Sequence, residues 1–190
     1  ERTDQAAETV KSNQAVLVRF HSPTLGDAQA KVHIVEFLDP ACETCAAFYP
    51  FVKNMMAANP GKIRLSVRYA PFHQGSDQVV AALEAARKQG KYWEALEALL
   101  SSQAQWAPHH TAQVGLSWPA LARAGVNVDQ AKEDMRAPEI GRLIAQDVAD
   151  ARTLNVTKTP EFFVNGRPMP SFGYEQLKKL VGDALAEAYR

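Results

Sequence analysis

Cys42 and Cys45 are the only cysteines in a chain of 190 residues, and just Glu43 and Thr44 separate them. A pair so spaced suits redox exchange, the chemistry that C-x-x-C beside a βαβ pattern points to. Metal binding and an inert thiol pair are the alternatives. A tetrahedral metal site would need two more ligands, and the five histidines, His21, His33, His73, His109 and His110, show no finger-like spacing. A purely structural bridge fits poorly, because closing so small a loop removes little entropy from the unfolded chain.

The flanking residues state what must hold the pair. Upstream, Lys31-Val-His-Ile-Val-Glu-Phe-Leu-Asp39 is a β-branched and aromatic run that reads as a strand buried on both faces. Downstream, Ala46, Ala47, Phe48, Phe51, Val52, Met55 and Met56 recur at helical spacing, so the cysteines sit where a strand gives way to a helix. Cys42 is expected in the first turn, where backbone N–H groups without intrahelical partners and the positive end of the helix dipole favour a thiolate. Cys45 then lies one turn deeper on the same face, shielded and within disulfide reach. One sulfur attacks and the other resolves.

Composition narrows the partners. Formal charge is zero, with 21 basic and 21 acidic residues, and the basic ones are scattered, which leaves no electrostatic footprint for nucleic acid or an anionic membrane. No apolar run is long enough to span a bilayer. Residue 1 is Glu, which reads as a processed or trimmed start with any signal peptide already removed. A single redox pair suits a reducing or an oxidising compartment equally. No cofactor is required, and the length allows one domain carrying a large insertion.

In chain order, residues 1–13 are polar with a weak helical pattern and 15–20 read as a short strand. Residues 22–30 are turn-rich, and the helix after the cysteines stops at Asn59-Pro60-Gly61. Residues 62–69 alternate as a strand, parallel to the first long one because a helix connects them. From 75 to 154 the apolar residues keep helical spacing, with breaks at 107–110, 117–119 and 137–138. In that block Trp106 and Trp118 read as core, and His109-His110 as a solvated loop. Strand character returns at 161–164, Asn165-Gly166 signals a hairpin turn, and a last helix spans about 174–188. The order β-β-α-β, helical insert, β-β-α predicts an α/β fold on a mixed sheet. Its domains are an N-terminal extension with a short strand (1–21), an α/β domain (22–74 and 155–190) and an inserted helical domain (75–154).

The strand Val35-Glu36-Phe37 running into Cys42-Glu43-Thr44-Cys45, the helical insertion, and Thr159-Pro160-Glu-Phe-Phe-Val-Asn-Gly166 together resemble the DsbA-like thiol–disulfide oxidoreductases of the thioredoxin superfamily. The resemblance extends from about Ser22 over nearly the whole chain. It implies a thioredoxin-like fold with a central mixed β-sheet and a helical insertion, and a protein disulfide oxidoreductase. Cys42 matches the exposed nucleophile, Cys45 the buried partner, and Pro160 a cis-proline beside the active site, with Thr159 offering its backbone to an extended substrate segment. Glu36 matches a buried acid beneath the cysteines that exchanges a proton with Cys45; its alternative is neutralisation by Arg68 or Lys158. Between the cysteines, DsbA has Pro-His where this chain has Glu43-Thr44. An acidic residue there disfavours the thiolate, so a weaker oxidant than DsbA is expected, unless Glu43 merely complements the helix dipole.

The resemblance further implies cysteine-containing protein or peptide substrates, an unidentified redox partner that recycles the pair, a periplasmic or otherwise extracytoplasmic setting, and a monomer. Phe72, His73, Phe172 and Tyr174 are expected to receive client peptide. A soft-metal module for Cu(I) and a non-catalytic peptide-binding chaperone are the competing functions.

Overall fold

The computed structural model describes residue 10 and residues 13–190. In chain order the elements are a helix α1, described at 13–17, then β1 (Thr24–Leu25), β2 (Val32–Leu38), α2 (Glu43–Ala58), β3 (Ile63–Tyr69), α3 (Ser76–Lys88), α4 (Tyr92–Ser101), α5 (Gln103–Trp106), α6 (Trp118–Arg123), α7 (Val128–Asp134), α8 (Pro138–Thr153), β4 (Glu161–Val164), β5 (Arg167–Pro168) and α9 (Tyr174–Ala188). The weak helical pattern read over 1–13 lies, apart from residues 10 and 13, outside the described residues. Among the described residues no helix is long and apolar enough to cross a membrane.

The chain separates into two compact units. The first holds the described residues up to Phe37 together with Phe48–Arg68 and Asp150–Arg190; the second holds Leu38–Ala47 and Tyr69–Ala149. Most of the sheet lies in the first unit, with strand order β1-β3-β2-β4-β5. All seven residues of β2 are buried, as a two-face-covered strand requires. Val32 donates to the carbonyl of Lys62 at one end of β2 and Ala70 donates to that of Leu38 at the other, so β2 and β3 run the same way. β1 is antiparallel to β3, and β4 to both β2 and β5. The sheet is therefore mixed, and the fold is thioredoxin-like. Asn165 (φ 48°) and Gly166 (φ 82°) both take the left-handed conformation that a two-residue hairpin needs, and they join β4 to β5.

Two sequence expectations are corrected in this unit. The run read as a strand over 15–20 is helical through residue 17, and the first strand instead falls at Thr24–Leu25, inside the segment read as turns. The physical reason is a tertiary cap. Arg68, fully buried, donates from Nη1 to the carbonyls of Val16 (2.8 Å) and Leu17 (3.1 Å), groups at the helix end that would otherwise lack partners. Arg68 also pairs with Asp150, which Arg19 grips with two hydrogen bonds of 2.9 Å. Leu17 is thereby set into the core while Val18 stays half exposed. β-Branched propensity lost to long-range hydrogen bonding.

On the same sheet, the buried His33 ring meets Ser66 Oγ at 2.7 Å, and Ser66 meets Thr24 Oγ1 at 2.7 Å. Phe48 of α2 stacks on Tyr174 of α9 (4.2 Å, 11°) and lies against Phe162 (5.5 Å) and Phe172 (5.0 Å). In the second unit α3 buries Val79, Val80, Leu83 and Ala86 beside Leu96 and Leu99 of α4. Trp106 is fully buried and donates to the carbonyl of Leu99 (3.0 Å), which agrees with its reading as core, whereas His109 and His110 are exposed.

Candidate active site

Where β2 ends, the chain must turn into a helix within four residues, and Asp39 organises that turn from inside the second unit. Fully buried, it accepts the Ala41 N–H on Oδ1 (2.9 Å), and its carbonyl accepts the Cys42 N–H (3.0 Å). This is the local side-chain-to-backbone bonding at which aspartate excels. Its Oδ2 accepts the His73 N–H (2.9 Å) and lies 2.7 Å from His73 Nδ1, the geometry of an imidazole donating to a carboxylate. The His73 ring in turn faces that of His110 at 6.1 Å.

Cys42 is the residue immediately before α2, the N-cap position, rather than a member of the first turn as expected. Its carbonyl accepts the Ala46 N–H (3.2 Å), opening the helix. Its sulfur accepts the N–H of Cys45 at 3.3 Å. A cap side chain conventionally takes the N–H two or three residues on, and a sulfur in that place is stabilised as an anion by the donor and by the dipole behind it. No disulfide joins the two cysteines.

Cys45 is fully buried, as expected for the inner thiol, but Cys42 is only 6% exposed, which corrects the expectation of an exposed nucleophile. Its neighbours Asp39 and Ala41 are buried as well. Glu43 and Thr44 are the exposed residues of the motif. Gln103 of α5 adds a contact with no counterpart in the sequence reading: its Nε2 donates to the carbonyls of both Pro40 and Cys42, each at 2.8 Å.

The remaining expected site residues belong to the first unit. The Thr159–Pro160 peptide is cis, with Thr159 half-buried and Pro160 buried. Glu36 is fully buried in β2, in register with Phe162 of β4. Glu161 follows Pro160 in register with Phe37, so it projects to the opposite face from Glu36. Burial pushes the Glu161 carboxyl above its usual range. Phe172 (54%) and Tyr174 (43%) are exposed at the surface of this unit, and Phe72 (47%) at that of the other.

Asp39, Gln103 and Glu161 escaped the sequence reading. Asp39, three residues before Cys42 at a strand end, carries a usable turn signal, and Glu161 stands in the sequence as an ordinary member of its strand. Gln103, 61 residues from Cys42, carried none. Among the described residues no group of three or more His, Cys, Asp or Glu is placed to hold a metal ion.

The family model described as Thioredoxin matches residues 20–183. Among solved structures, a thioredoxin-like oxidoreductase from Silicibacter pomeroyi superposes with a TM-score of 0.78 at 31% identity, covering 91% of this chain and 97% of that one. The thiol-disulfide exchange protein alpha-DsbA2 from Wolbachia pipientis superposes at 0.79 with 21% identity, covering 96% and 97%. The Na(+)/H(+) antiporter NhaA 3 of Salinispora tropica is 30% identical over 167 residues, 86% of this chain but 24% of the antiporter. The chain thus spans about a quarter of the length of the curated relatives it matches. With a cysteine pair at the mouth of α2, a mixed five-stranded sheet and a matching model over most of its length, this chain belongs to the thioredoxin family and carries the DsbA-like form of its fold.

Proposed function

We propose that the protein is a thiol–disulfide oxidoreductase acting on cysteines of protein or peptide clients through a mixed disulfide on Cys42, in an extracytoplasmic setting. The observation that carries this reading is the Cys45 N–H directed at Cys42 Sγ from the N-terminus of a sixteen-residue helix. Starting from the oxidised pair, a client thiolate attacks Cys42 Sγ. The Cys42–Cys45 bond breaks, and Cys45 leaves with the electron pair and takes a proton. A second client thiolate then attacks the client sulfur of the mixed disulfide and releases Cys42 as a thiolate. The client loses two electrons and two protons, and the pair gains two electrons. Run backwards, the same steps reduce a client.

In this scheme Cys42 is the better leaving group because its anion is the stabilised one, and Cys45, fully buried, is the resolving thiol. Glu36 is assigned the proton exchange with Cys45, and the Thr159 backbone beside Pro160 the pairing with an extended client segment. Glu43 and Thr44 tune the potential from the exposed side of the motif. A separate recycling partner restores the pair. The antiporter activity belongs to the Salinispora protein, of which this chain matches 24%.

Insulin reduction and refolding of a scrambled client test the reading, with wild type beside Cys42→Ser and Cys45→Ser and with metal analysis of the reduced protein. Turnover is expected in wild type and absent in Cys42→Ser, while Cys45→Ser accumulates the mixed disulfide. Stoichiometric soft metal without turnover would make the pair a metal module instead. Peptide binding without turnover would make the protein a chaperone.

A further inference from the structure

Resting on the oxidoreductase reading, we propose that Gln103 is a positioning residue for Cys42: from the helical segment it clamps the turn that presents the sulfur and thereby sets how readily the thiol ionises. A primary amide has two N–H donors, and Gln103 spends both on one turn, on the Pro40 and Cys42 carbonyls at 2.8 Å each. A side chain that bridges two carbonyls two residues apart fixes the peptide planes between them.

The Cys42 N–H is held by the Asp39 carbonyl (3.0 Å), and its carbonyl by Ala46 (3.2 Å) and Gln103. With the backbone pinned on both sides, the sulfur keeps a single freedom, rotation about χ1, and the Cys45 N–H at 3.3 Å marks the well it occupies. Holding a donor in place before the charge develops is what makes it effective, since nothing must reorganise when the thiol ionises.

The clamp is itself well anchored. Ser102, just before it, is buried and donates to the Ala98 carbonyl (2.6 Å), and Ala107 donates to the Gln103 carbonyl (2.7 Å). Trp106, at the end of the same helix, is fully buried and bonded to Leu99. Being a neutral amide, Gln103 does not titrate, so its effect is uniform across the working pH range.

Two substitutions of nearly the same size separate this role from plain packing: Gln103→Met removes the donors, and Gln103→Glu turns a carboxylate toward the two carbonyls. In both, thiolate absorbance followed against pH should show Cys42 less acidic than in wild type, with the acid constant lowered about threefold to tenfold, the worth of an ordinary hydrogen bond. The equilibrium with glutathione should move toward the disulfide by a similar factor, and the melting temperature should change little in Gln103→Met. Without any variant, the side-chain amide resonances of Gln103 in the wild-type protein should follow the Cys42 titration.

Unmoved Cys42 titrations in both variants, or amide resonances indifferent to Cys42 ionisation, would overturn the proposal. A titration that shifts as expected while wild type fails to turn over any disulfide leaves the clamp standing and removes the oxidoreductase reading. Normal turnover with unshifted titrations does the reverse.

Discussion

Cys42 owes its proposed reactivity to one short run of backbone, in which the amide of Cys45 reaches its sulfur at 3.3 Å and the helix dipole lies behind it. Glu43 stands next to that sulfur in sequence and exposed to solvent, so its charge opposes the thiolate through water rather than through protein. Replacing it by histidine is expected to stabilise the thiolate and make the pair more oxidising, by about half a logarithmic unit to one unit in the glutathione equilibrium constant. An unchanged or more reducing potential would refute the tuning role. A second titratable group acts on stability instead. Burial, with help from the nearby Arg64 charge, pushes His33 down to about 4. The unfolded chain protonates this histidine near its ordinary value of about 6.5 and the folded protein only near 4, so the unfolded state binds more protons in between. Stability is therefore constant in this respect above about pH 6.5 and falls as the pH drops toward 4, by at most about 3 kcal/mol. Urea unfolding at pH 7 and pH 4.5 should show the loss, and His33→Gln should flatten it.

The turn after β3 shows how much a connection can depend on one small residue. Gly75 has φ 83°, and a Cβ there would stand 2.1 Å from the carbonyl oxygen of Ala112. The same loop is tied by the Ala112 N–H to the Gln74 carbonyl at 2.8 Å, so neither strand of chain can easily withdraw. Gly75→Ala is expected to cost about 3 kcal/mol or more, combining left-handed strain with a backbone clash. A guanidinium unfolding midpoint within error of wild type would show that the loop relaxes freely. In sequence Gly75 reads as a boundary of the helical segment and nothing more. Its partner Ala112 is 37 positions away, and a steric requirement between distant backbones leaves no periodicity to read. The hairpin at Asn165-Gly166 is the opposite case: the two residue types that tolerate positive φ stand side by side, and the turn is legible from them alone.

Across the first unit, buried ionic chemistry takes over where local preference is weak. Asp150 receives Arg68, which has no exposed surface, and Arg19 as well, joining α8, β3 and the residues after α1. Removing the acid deletes a buried charge partner of Arg68 and of Arg19 together, so Asp150→Ala is expected to destabilise by about 3–5 kcal/mol. Combining Asp150→Leu with Arg68→Met should recover much of that, because an apolar pair avoids the desolvation cost of two charges. Thermal melts of the single and double variants check both statements; a double variant as unstable as Asp150→Ala would mean that the arginine's bonds to Val16 and Leu17 matter more than its charge pairing.

Composition and spacing were enough to mark the cysteine pair, the strand and helix on either side of it, the helical stretch that interrupts the sheet, and the order of elements around it. Those features announce themselves within a few residues, through periodicity and turn chemistry. It took long-range contacts to coil 15–17 into a helix, to make Thr24–Leu25 the edge strand, to cover Cys42 almost fully, and to bring Gln103 and His73 against its turn. The physical reason is common to all four. Each rests on hydrogen bonds or packing between residues far apart along the chain, such as the 52 positions between Arg68 and Val16 or the 61 between Gln103 and Cys42, and a partner at that distance leaves no mark on the local pattern.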